Sequence, residues 1–77
     1  MLGSKDSKIN NLVQIIDQEI SGALDNINEG RMDDAKAKLE YAKTITGKIS
    51  NLNFIVKKTM DKHLKDFEEH MQKVAAS

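Results

Sequence analysis

Between Ala35 and Val74 the apolar residues recur without losing phase. The series is Ala35, Leu39, Ala42, Ile45, Ile49, Leu52, Val56, Met60, Leu64, Phe67, Met71, Val74, and every step is three or four residues. Such spacing returns side chains to one face of an α-helix, whereas a strand needs a period of two. Two steps average close to seven residues, which fits a coiled-coil seam with a gentle left-handed supercoil. A turn usually resets such a phase. Here it survives Gly47 and the stretch Ser50-Asn51-Leu52-Asn53, so the pattern predicts one long helix from about 33 to about 75.

A second series precedes it: Ile9, Val13, Ile16, Ile20, Leu24, Ile27, with steps of 4, 3, 4, 4 and 3. Leu12, Ile15 and Ala23 widen its stripe. Ser4, Asp6 and Ser7 each offer a short side-chain oxygen to cap the first orphan backbone N–H groups. The first helix is expected over about 6–28, after a disordered tail at 1–5. Ser21-Gly22 is its weak point, at about 1 kcal/mol for Gly against Ala. Residues 29–33 read as a turn. Gly30 suits the left-handed position after a helix end, and Asp33 suits the N-cap of the next helix. Asp34 follows at the positive end of the dipole. So short a connection makes the two helices antiparallel neighbours, with Ala35, Ala37 and Ala42 allowing close approach. The stretch Asn28–Ala42 resembles generic helical-hairpin modules, such as tetratricopeptide-type units and small secretion chaperones. That likeness arises from hairpin physics and assigns no functional residue.

The two helices differ in length, at roughly 35 Å and roughly 63 Å. The first reaches only to about Val56. Beyond it, Met60, Leu64, Phe67, Met71 and Val74 would lie uncovered, and a stripe of that size seeks a partner. The fold expected is therefore an all-α antiparallel hairpin with a long second helix, paired as a dimeric helical bundle. The association seam is Leu52, Ile55, Val56, Met60, Leu64, Phe67 and Met71, with Met60 and Met71 also suited to an adaptable groove for a heterologous helical protein. The alternative is a chain that breaks near Ser50–Asn53 and closes as a monomeric three-helix bundle.

Composition narrows the function. The chain has 77 residues, enough for one small domain, and holds no Cys, Pro or Trp. Disulfides, thiolate zinc sites and cysteine nucleophiles are excluded. Lack of Cys suits a reducing cytoplasm. No apolar run exceeds Phe54-Ile55-Val56, which is too short for a membrane span. Met1-Leu2-Gly3-Ser4 leads into polar residues, so no uncleaved signal peptide is expected. His63, Asp66 and His70 share a helix face, but the spacing is not that of HExxH. They read as the wet edge of the seam. In a dimer, His63 and His70 would meet their counterparts and make assembly sensitive to pH. Asp33-Asp34 and Glu68-Glu69 read as helix-end and surface charges, because adjacent helical residues diverge and catalytic carboxylates need burial. No nucleophile–base pair appears, so no enzyme activity and no cofactor are expected.

Charge is segregated along the chain. Residues 1–34 hold three basic and seven acidic groups, and residues 35–77 hold nine and five. An acidic helix lying against a basic one explains most of this. The remainder is a basic face of Lys57, Lys58, Lys62 and Lys65. It points to an acidic partner or, as the alternative reading, to a small nucleic-acid-binding regulator. Arg31 is the only arginine and Tyr41 the only tyrosine, which is poor equipment for nucleic acid. For a membrane surface the segment 54–74 is amphipathic, but Asp66, Glu68 and Glu69 oppose anionic lipid. The function expected is a non-enzymatic protein–protein interaction module: an adapter, chaperone or assembly subunit that offers a helical surface, first to its own copy.

Overall fold

The computed structural model describes residues 4–76, and among these every regular element is helical. The elements are α1 (Ser4–Asn28), α2 (Met32–Ile49) and α3 (Phe54–Ala76). Residues 1–3 of the expected tail lie outside the described residues, and Ser4 and Lys5 belong to α1. The described chain measures 48 × 18 × 15 Å.

α1 buries Ile9, Ile16, Ile20 and Ala23. Its last turn closes in a Schellman motif: Arg31 N–H donates to Asn26 C=O (2.7 Å) and Gly30 N–H to Ile27 C=O (3.0 Å). Gly30 has φ +78°, where a Cβ would be strained. The bonds reverse the chain, and α2 packs along α1. Ala35 and Ala42 are fully buried and let the backbones close, whereas Ala37 faces solvent. The N-cap of α2 is Arg31, not the expected Asp33. The tight motif brings the helix start forward to Met32, so Asp33 and Asp34 occupy the first turn. Their carboxylates sit where the dipole favours negative charge.

The second expected helix does not run through. α2 ends at Ile49, whose C=O accepts from Leu52 N–H (2.8 Å) and Asn53 N–H (2.9 Å). Asn53 then caps α3, its Oδ1 accepting from Ile55 N–H at 3.0 Å and Val56 N–H at 3.1 Å. The connection is four residues long, about one helical turn, so the three-and-four rhythm crosses it unchanged while the chain changes direction. α3 folds back on α2. Met32 and Leu39 of α2 line a cleft with Met71 and Ala75 of α3, and Lys43 Nζ meets Glu68 Oε2 at 2.8 Å.

This reversal covers most of the stripe expected to lie uncovered, though Val74 stays exposed. Leu64, Phe67 and Met71 are only 3%, 8% and 4% exposed, packed into the core that holds Leu39, Ala42, Ile45 and Ile49. Each such side chain stabilises by about 2 kcal/mol on burial. α3 barely touches α1. The fold is a two-helix core with a third helix laid on one of them.

Candidate functional site

The end of the molecule at the α2–α3 loop carries the two most exposed large apolar side chains among the described residues. Phe54 is 60% exposed and Ile55 77%. Asn53 determines this. By capping α3 it fixes the helix start, and the register that buries Leu64 and Phe67 turns Ile55 outward. Leu52 is half-buried and lies with Leu12, Lys8, Asn11, Lys48 and Asn51 around a shallow depression. Lys58 Nζ stands 5.0 Å from the centre of the Phe54 ring, a cation–π contact. Lys57 forms an i, i+4 ion pair with Asp61, and Lys62 and Lys65 are exposed.

The fold turns the linear segregation of charge into an axial one. Residues 4–16 and 41–65 lie towards the α2–α3 loop and hold eight lysines against Asp6 and Asp61. Residues 17–40 and 66–76 lie towards the α1–α2 turn and hold ten acids against four bases. Asp66, Glu68 and Glu69 thus belong to the opposite end from the exposed Phe54 and Ile55. Sequence reasoning saw the N- and C-terminal halves of this pattern and missed the axis, because the axis exists only once α3 turns back.

At the acidic end the α2–α3 cleft has an apolar floor of Met32, Leu39 and Met71 and encloses about 260 Å³. Lys36, Glu40, Glu68 and Gln72 form its rim. Lys43 bridges Glu40 and Glu68 near the middle of this face. The hydrogen bond to Glu68 is the main reason its pKa is raised above the usual lysine value. Arg31 at the turn is likewise raised, first by its hydrogen bond to Asp34 and then by Glu29.

Of the expected association seam, Leu64, Phe67 and Met71 are core residues of the single chain. Leu52, Val56 and Met60 are half-buried, and of the seam Ile55 alone is exposed. His63 lies in the shallow groove between α3 and α1, with Asp17, Thr59, Met60 and Asp66. His70 is exposed, its ring centre 6.5 Å from that of Phe67. Among the described residues no group of three acidic, histidine or cysteine side chains is arranged to hold a metal ion. Every described buried side-chain polar atom has a hydrogen-bond partner. No described helix is long and apolar enough to cross a membrane. No family model, curated protein or solved structure matches the chain.

Proposed function

We propose that this protein is a non-enzymatic protein–protein interaction module, an adapter or assembly subunit, whose working surface is the lysine-rich loop end. One observation carries the reading: Phe54 and Ile55, the two most exposed of the large apolar side chains described, stand adjacent at one end of the molecule. An exposed aromatic with an aliphatic neighbour is the kind of anchor that dominates binding energy at interfaces. The surrounding lysines steer an acidic partner and add rim contacts. The partner fitting this chemistry is a protein with an apolar pocket edged by carboxylates. A cysteine-free chain suits a reducing compartment such as the cytoplasm.

The test is quantitative affinity capture with two baits, the wild-type chain and Ile55→Glu. Ile55 is outside the core, so the variant keeps the fold. Proteins held by the wild type and lost by the variant support the reading, and identical sets refute it. The concentration of lysines at one end also favours a second reading, nucleic-acid binding. That reading demands retention of mixed DNA or RNA on filters that falls steeply between low and moderate salt.

A further inference from the structure

The outer face of α3 carries a stripe of its own. Phe54, Lys58, Asp61, Lys65, Glu68 and Gln72 follow one another in steps of 4, 3, 4, 3 and 4. None of them is buried. Read backwards, the stripe is complementary to itself. About a centre at the level of residue 63, Phe54 falls opposite Gln72, Lys58 opposite Glu68 and Asp61 opposite Lys65. Phe54 and Gln72 are five helical turns apart, about 27 Å, and therefore point to the same side of α3. Gln72 is on the rim of the apolar cleft between α2 and α3. One face thus presents an exposed aromatic at its basic end and an apolar cleft at its acidic end.

We propose that two copies of this chain pair antiparallel through the α2–α3 face, about a twofold axis at the level of residue 63. Each copy seats its Phe54 at the other's cleft beside Met71 and Gln72. A twofold axis makes every contact occur twice and closes the assembly at a dimer. Lys58 of each copy meets Glu68 of the other, and Asp61 meets Lys65. In the single chain Glu68 is held by Lys43, Asp61 by Lys57, and Lys58 covers Phe54. These are exposed pairs of small individual worth, so exchanging them across an interface costs little. The axial charge separation favours the same arrangement, since antiparallel neighbours place each basic end beside an acidic one. His63 and His70 lie on the opposite side of α3, so this pairing keeps them apart. The inference rests on the interaction-module reading for its use of Phe54, while Ile55 lies about 100° round the helix and outside the paired face.

Mass in solution tests it, by sedimentation equilibrium of the full chain across concentration at low and at moderate salt. The expected result is a rise from 8.6 kDa to twice that value, weakening as salt is added. Lys65→Asp opposes two carboxylates at the centre and should raise the dimer dissociation constant about tenfold or more. The double change Asp61→Lys with Lys65→Asp exchanges the charges and should restore pairing. Phe54→Ser should abolish it with the helical signal unchanged, since Phe54 is outside the core. A wild type that stays at 8.6 kDa at every concentration overturns the proposal, as does a Lys65→Asp dimer as tight as the wild type. A monomer that still loses its captured proteins on Ile55→Glu overturns the pairing alone. A salt-sensitive dimer with identical capture by both baits leaves the pairing standing and refutes the module.

Discussion

Replacing Leu64 by Ala tests how α3 is held. Leu64 is 3% exposed, one of three buried side chains through which α3 joins the core. The change removes three carbons, about 2.4 kcal/mol at about 0.8 kcal/mol per buried methylene. The cavity left behind adds to this, and half-buried Met60 beside it can relax inwards, so the total should be about 3 kcal/mol. A chain of 77 residues has only about 4–12 kcal/mol of stability, so the loss is a large share. Because α3 barely touches α1, the loss should not be shared evenly. α3 should open as a unit while α1 and α2 stay paired through Ile16, Ile20, Ala35, Leu39 and Ala42. Native-state hydrogen exchange reads this residue by residue. At about 1.4 kcal/mol per decade, α3 amides should lose about a hundredfold in protection, and central α1 amides much less. Equal loss in α1 and α3 would show one cooperative unit and refute the argument. A loss below about 1 kcal/mol would show that Leu64 is not held as described.

Other expectations follow from single contacts. Asn53→Ala removes the acceptor for two α3 amides and should cost about 1 kcal/mol, visible as a melting point lower by about 4–8 °C. Gly30→Ala places a Cβ at φ +78° and should cost about 1–2 kcal/mol in chemical denaturation, even though the site is otherwise open. Gly47→Ala meets nothing within 4 Å, so the same measurement should show a gain of about 0.5–1 kcal/mol. Lys43 has a folded pKa raised above the ordinary lysine value of 10.5, mainly by its hydrogen bond to Glu68. Its contribution is therefore full below that value and lost as pH rises through the folded pKa. The wild type should lose slightly more stability than Lys43→Met between pH 9 and 12, and matching profiles would remove the bridge from the account.

Much of the fold was legible because apolar periodicity records burial directly. Ile9, Ile16, Ile20, Leu39, Ala42, Ile45, Ile49, Leu64, Phe67 and Met71 all lie on the faces that spacing assigns them. The reversal at 50–53 was hidden by its own length, since a connection of about one helical turn preserves the rhythm that a turn normally disturbs. The signal that could have revealed it was Asn53, a strong capping residue just before an apolar run. Leu24 departs from the face its spacing assigns, and Asn26 enters the core without any apolar signal. Leu24 is largely exposed, while Asn26 is buried and accepts from Lys38 Nζ at 2.6 Å. Gly22, read only as a weak point, gives the lysine stem its room: a Cβ there would lie 3.1 Å from Lys38 Cε. A contact of that kind joins two helices and leaves no trace in the periodicity of either. The loop-end surface was half legible, because Phe54 and Ile55 stood off the main series, but the acids that seemed to counter the lysines lie at the far end.

That separation changes what the molecule is to its surroundings. By its isoelectric point of about 6.7 the chain is close to neutral in a cell, and an electric field has almost nothing to pull on. A field can still turn it. Its long dimension is 48 Å, while charges in physiological salt are felt over only about 8 Å. A charged neighbour therefore never meets the neutral whole. It meets a small cation or a small anion, according to which end arrives first, and only an approach by the favourable end gains from charge. In such a molecule orientation takes the place of net charge as the quantity that selects an encounter.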